Sequence, residues 1–142
     1  MPFKQAIRLP ILLFKPKLLK LKGKIILNTS NIYPGMIRLG YPYVSIYPDT
    51  GIVWENTGGI VIFKGKCTIG GNSYISIGRG GKITFGEQFL ASSSVKIVCM
   101  VSIEFGFKNH IGWNTIIMDT NFHPLIDMNN NVAKSFCGPI LI

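Results

Sequence analysis

Apolar residues in the second half of the chain recur every six positions. Phe63, Ile69 and Ile75 are six apart, as are Phe105, Ile111 and Ile117, and glycine follows at Gly70, Gly106 and Gly112. A six-residue period matches neither a helix, at about 3.6, nor a flat strand, at about 2. Among repeat signals it predicts a β-helix. From Gly59 onward the apolar runs are short, IVIF, YISI, KITF, VKIV, SIEF and TIIM, each closed within a few residues by Gly, Asn or Ser. The linkers lack the Asn-Gly and Asp-Gly pairs of two-residue hairpins. These strands suit a coil that stacks on itself, with apolar residues pointing inward onto their equivalents one turn away and glycine at tight corners.

The beat is not uniform. Ile69-Gly70, Ile77-Gly78 and Phe85-Gly86 are eight apart, and Phe85 to Phe105 is 20. Two-residue insertions must therefore be absorbed at corners. An antiparallel sandwich of short strands is the competing fold. Upstream, residues 1 to about 24 mix Leu and Ile with Lys and contain Pro2, Pro10 and Pro16, a pattern for short amphipathic helical pieces or an extended arm. From Lys24 to Trp54, runs such as Lys24–Leu27 and Val44–Tyr47 read as irregular strands capping a solenoid. The expected organisation is a basic arm and β-rich cap over 1–58, then coils over 59–142 with a protruding loop near 119–130.

Composition changes this picture in two ways. At 142 residues the chain is one domain, and 47% hydrophobic against 15% charged residues excludes disorder and leaves apolar surface for a partner, most simply another copy. The net charge of +9 is unevenly placed: Lys4, Arg8, Lys15, Lys17, Lys20, Lys22 and Lys24 all precede the first acidic residue, Asp49. Such a field suits nucleic acid, an anionic membrane or a phosphate-bearing ligand. Cys67, Cys99 and Cys137 are odd in number and lack CxxC spacing, which points to a reducing compartment rather than a disulfide framework or zinc cluster. The apolar run 10–14 is too short for a signal-peptide core or a membrane span, so a cytoplasmic protein is expected.

Two histidines carry the candidate chemistry. His123 lies in Asp119-Thr120-Asn121-Phe122-His123-Pro124, a polar interruption where the next hexad is due, and so on a loop outside the coil. Neutral imidazole there suits a general base; a surface histidine in a turn is the alternative. His110 reads as a solvent-facing corner. With Asp119 the only nearby carboxylate, metal catalysis is not expected. Gly78-Arg79-Gly80-Gly81-Lys82 stands between two strand-like runs and reads as a turn, and Ser92-Ser93-Ser94 as small residues at a corner. Trp113 and Phe122 flank the histidine region and suit either a sugar pocket wall or packing between subunits.

The hexads, the IGWN corner at Ile111–Asn114 and the run Ile117-Met118-Asp119-Thr120-Asn121-Phe122-His123 together resemble the hexapeptide-repeat acyltransferases. The likeness is greatest to the bacterial polysaccharide-biosynthesis branch, with its MDTDFH-like segment, and His123-Pro124 is similar to the maltose and galactoside acetyltransferase pattern. The resemblance covers roughly residues 59 to 126. It implies a left-handed parallel β-helix, although parallel crossovers are ordinarily right-handed. It further implies a homotrimer with active sites between neighbouring prisms, and transfer of an acyl group, most simply acetyl from acetyl-CoA, to a sugar hydroxyl in cell-surface polysaccharide assembly. His123 would be the general base, with Asp119, Asn121, Trp113 and Ser93 at the substrate. No coenzyme-binding residue is assigned. The basic arm, by its charge, adds peripheral contact with the inner membrane to the expected partners, and nucleic acid is not expected.

Three positions depart from that pattern. Asn121 stands where the closest pattern has aspartate, the Ser92–Ser94 run stands near an active-site asparagine, and the sequence stops at Gly138–Ile142, where the family continues with an IG-x-x-x-WIG run. The comparison therefore implies a C-terminally shortened member. It also keeps open a catalytically silent β-solenoid acting as an assembly or binding module, and a scaffold whose functional part is the basic arm.

Overall fold

Seventeen short strands, all but two of them wound in parallel, build the protein in the computed structural model, which describes residues 9–134 and 137–142. Lys4 and Arg8 of the expected basic arm lie outside the described residues. The first coil is β1 (Ile11–Leu13), β2 (Pro16–Leu21) and β3 (Lys24–Leu27), and the second is β4 (Ile37–Tyr41), β5 (Ile52–Asn56) and β6 (Ile60–Phe63). The third is β7 (Cys67–Gly70), β8 (Ser73–Ile77) and β9 (Lys82–Phe85); the fourth is β10 (Phe89–Ala91), β11 (Lys96–Cys99) and β12 (Ser102–Glu104). The fifth opens with β13 (His110–Ile111) and β14 (Ile116–Met118), leaves the coil for an antiparallel pair, β15 (Leu125–Ile126) and β16 (Val132–Lys134), and closes with β17 (Ile140–Leu141).

Each coil contributes one strand to each of three five-stranded parallel sheets. Sheet A runs β1-β4-β7-β10-β13, sheet B β2-β5-β8-β11-β14 and sheet C β3-β6-β9-β12-β17. The fold is an all-β parallel β-helix. The competing antiparallel sandwich is excluded, because neighbouring strands in all three sheets are parallel.

The hexad residues meet as the pattern requires. Phe63, Ile69 and Ile75 are inward residues of sheets C, A and B in turn, each at most 1% exposed. Register stacks them: Leu39 pairs with Ile69, Ile69 with Ala91 and Ala91 with Ile111 in sheet A, while Trp54, Ile75, Ile97 and Ile117 form the matching column in sheet B. At the edge of sheet C, Phe63, Phe85 and Phe105 stack nearly parallel at 5.1 and 5.5 Å, with Phe89 tilted against the last two at 4.9 and 4.7 Å. Aromatic contacts of this kind add about 0.5–1.5 kcal/mol each beyond burial.

One coil takes 22 residues from Cys67 to Phe89 but 20 from Ile97 to Ile117. The surplus over three hexads sits in the corners. Gly78–Gly81 is such a corner, a turn closed by Gly81 donating to the Gly78 carbonyl at 3.1 Å. Asn72, Ser94 and Asn114 recur at the corner between sheets A and B with positive φ of 57°, 61° and 56°. Asn is among the residues that tolerate this left-handed conformation, and a ladder from Thr50 to Asn72 at 3.0 Å and from Asn72 to Ser94 at 3.3 Å ties three coils together there.

The solenoid begins well before residue 59. Residues 11–27 and 37–63 are full coils whose strands pair in parallel with those that follow, so the expected arm is extended strand from Ile11 and the expected irregular cap is regular coil. Val44–Tyr47 is no strand; it belongs to a loop on the corner between β4 and β5. Hexads are missing upstream because corners of nine or more residues interrupt them, at 28–36 and 42–51. Phe85 has Phe63, Phe89 and Phe105 around it, so Phe85→Ala is expected to cost about 3–5 kcal/mol. Urea unfolding of the two proteins under the same conditions checks this, and a loss below about 1 kcal/mol would show that the aromatic column is not a principal support of the coil.

Candidate functional site

The run that leaves the coil after β14 is anchored at its first residue. Asp119 occupies the column of Asn56, Ile77 and Cys99, one coil beyond Cys99, and is 4% exposed. In earlier coils the corner between sheets B and C is satisfied by the next coil, as when Gly78 donates to the Cys99 carbonyl at 2.8 Å and Lys82 to that of Val101 at 3.0 Å. The fifth coil makes no such corner. The Asp119 carboxylate replaces it: Met100 donates to Oδ1 at 2.7 Å, and Val101 and Ser102 to Oδ2 at 2.7 and 2.8 Å. Asn56 closes the corresponding corner of its own coil, its Oδ1 accepting from Gly58 and Gly59 at 3.1 and 2.8 Å. Burial, with the charge of Asp119 adding to it, pushes the Cys99 thiol up to about 12.

The two feet of the loop are joined by backbone. Gly138 donates to the Asp119 carbonyl at 2.9 Å, and Thr120 bridges Cys137 in antiparallel fashion. Between the feet, residues 121–131 are all exposed. Thr120 Oγ1 accepts from the Phe122 amide at 3.0 Å and Asn121 Oδ1 from the His123 amide at 3.3 Å, a double turn that fits the positive φ of 64° at Phe122. His123 therefore stands outside the coil on a solvent-facing turn, and no ion pair engages it among the described residues. At the loop tip, Asp127 accepts from the amides of Asn129 and Asn131, both at 2.8 Å, which holds its carboxyl below the ordinary aspartate value.

Of the residues expected at the substrate, Asn121 shares the His123 turn, and Trp113, 59% exposed, sits at the corner before β14. Asp119 and Ser93 are elsewhere in kind. Asp119 spends both oxygens on backbone, and Ser93, 1% exposed, accepts from the Val44 amide at 3.3 Å. Among the described residues the loop and its surroundings expose Trp113, Ile116, Phe122, Leu125, Ile126 and Met128. No family model, no curated protein and no solved structure matches the chain in comparisons with known proteins.

A second concave feature lies over sheet A, on a different face from the loop. Arg38, Thr68, Leu90 and His110 are successive outward residues of one register column and form its floor. The long corner 28–36 walls one side with Tyr33, and Pro42-Tyr43 walls the other. Ser93 holds that second wall in place through Val44. The groove is half open to solvent and has a volume of about 780 Å³, within the range of small-molecule sites. His110, read from sequence as a plain corner, is part of this groove. The signal that could have found it is the 20-residue coil interval itself, which sets Leu90 beside His110.

Two outcomes follow from the loop geometry. Asp119→Ala leaves three amides without their acceptor, and since hydrogen bonds to a charged group contribute about 1.5–3 kcal/mol each, a destabilisation of at least ~3 kcal/mol is expected in urea unfolding; a change under about 1 kcal/mol would refute the anchor. The depressed Asp127 carboxyl stabilises the loop tip above the ordinary aspartate value, and that contribution disappears as pH falls through the lower folded value. The amide resonances of Asn129 and Asn131 should therefore titrate with a midpoint below the ordinary aspartate value of about 3.9. A midpoint at or above that value contradicts the turn.

Proposed function

We propose that the protein is an acyltransferase that moves an acyl group, most simply acetyl from acetyl-CoA, to a sugar hydroxyl in cell-surface polysaccharide assembly. The observation that carries the reading is the way a parallel β-helix of stacked coils releases a loop at Asp119, presents His123 on a fixed turn four residues later and recovers the coil at Gly138. A sugar hydroxyl does not ionise near neutral pH, so the reaction needs a positioned base. His123 would take the acceptor proton as the hydroxyl oxygen attacks the thioester carbonyl, and the coenzyme thiolate would leave and regain a proton. Backbone amides at a coil corner would stabilise the oxyanion that forms in between.

The reading includes assembly. Residues 121–131 are exposed in one protomer, whereas a neighbouring copy packed on Trp113, Ile116, Phe122 and Leu125 would exclude water from them. A homotrimer, with the acceptor and acetyl-CoA in the clefts between copies, is the arrangement proposed. Cytoplasmic location, with the lysine-rich first coil toward the inner membrane, is part of the same proposal.

One observation favours a second reading. With Asp119 engaged by three amides and Asn121 uncharged, no carboxylate partners His123 among the described residues, as suits a catalytically silent assembly module. Thiol release from acetyl-CoA in the presence of saccharide acceptors separates the two. Loss of a general base lowers turnover by about 10²–10⁴-fold, so His123→Ala should reduce thiol release by that factor while the circular-dichroism melting curve is unchanged. Undiminished release in the variant would remove His123 from the mechanism, and failure of the folded protein to bind coenzyme A in calorimetry would favour the silent module.

A further inference from the structure

The groove on sheet A is chemically specific in a way the loop is not. Its floor begins at Arg38, whose Nε donates to the Gly35 carbonyl at 3.2 Å, which fixes the guanidinium plane and leaves its terminal nitrogens available. Lys66, on the corner before β7, adds a second cation. Neither forms an ion pair among the described residues; the two pairs present are Lys15 with Asp49 and Lys64 with Glu104. A fixed guanidinium and an ammonium lining one groove can together receive a phosphate group.

The rest of the lining argues for what the phosphate would be attached to. Tyr33, Tyr41 and Tyr43 present rings and hydroxyls, and the Tyr41 ring is held by packing on Phe14 at 5.4 Å. Flat rings with polar edges suit the apolar face and hydroxyl rim of a sugar. Glu87 is the one carboxylate in the lining, and His110 closes the end. A carboxylate, here with its side chain over Gly65, accepts hydrogen bonds from sugar hydroxyls, and its negative charge disfavours a polyanion such as a polyphosphate or a nucleic-acid backbone. The walls flank a half-open groove of about 780 Å³, a volume in the range of small-molecule sites.

We infer that the sheet A groove is a binding site for a phosphorylated sugar, with the phosphate on Arg38 and Lys66 and the ring between the tyrosine walls. This site stands independently of acyl transfer at the loop, which lies on another part of the coil.

The test uses ¹⁵N-labelled full chain titrated with glucose 1-phosphate, inorganic phosphate and glucose. The expected result is saturable shifts of the Thr68, Leu90 and His110 amides with glucose 1-phosphate, at least ten-fold weaker binding of inorganic phosphate or glucose alone, and at least ten-fold weakening by Arg38→Gln. Tyr43→Ala, at a wall position 56% exposed where folding is not at stake, should weaken the sugar phosphate while leaving inorganic phosphate unchanged. Lys82→Ala, on the outward face of sheet C, should change nothing. The inference is overturned if those three amides do not shift, if inorganic phosphate binds as well as the sugar phosphate, or if Lys82→Ala weakens binding as much as Arg38→Gln, which would reduce the effect to the protein's general positive charge.

Discussion

Coil-on-coil register is the constraint on which the rest of the molecule depends. Inward residues stack on their equivalents in the next coil, so the core is a set of columns, such as Trp54-Ile75-Ile97-Ile117 and Phe63-Phe85-Phe105, and not a jigsaw of distant segments. Every backbone hydrogen bond between coils is made only when those columns align. Apolar burial and parallel pairing are therefore one cooperative event, with each coil contacting chiefly its neighbours. The variable quantity is the corner. Coils can differ in length by two residues without disturbing a column, because the surplus is held at the corner between sheets B and C, four residues long at Gly78–Gly81 and two at Met100–Val101.

That freedom at corners is where the loop and the groove are added. Three corners are expanded: 28–36 and 42–51 lean over sheet A, and the residues after Asp119 project away from the coil. At two of the three, a buried side chain supplies an acceptor for backbone amides. Ser93 receives Val44, and Asp119 receives Met100, Val101 and Ser102. A residue expected from sequence at the substrate thus serves as a structural cap. Asp119 is buried because it belongs to the inward column of sheet B, and a carboxylate in that place is stable only when fully hydrogen-bonded.

The loop and the groove differ in kind. The loop carries His123 on a turn with little cover, so its chemistry within the proposed function depends on what surrounds it in an assembly. The groove is built within one protomer, from an outward column and two walls. Its residues come from four coils and two long corners, and they converge because parallel register stacks the outward residues of successive coils whatever the length of the corners between them.

Much of this was legible along the chain. The hexad pairs at Phe63–Ile75 and Phe105–Ile117 specified inward positions, since a coil with three short sides must present one apolar residue per side, and the interval of 20 between Phe85 and Phe105 was one full coil. The loop at His123 was visible as a polar break in that beat. The first two coils were obscured because their long corners erase the period, although residues such as Ile37, Leu39, Ile52 and Trp54 take the same inward places. What only the tertiary structure decided was the assignment of polar residues to structure or to open surface. Sequence spacing gives the column in which a residue stands, but whether Asp119 meets backbone amides or His110 meets a groove depends on the neighbouring coil and on the path of corners tens of residues away, and hydrogen bonding and enclosure arise only where those distant segments meet.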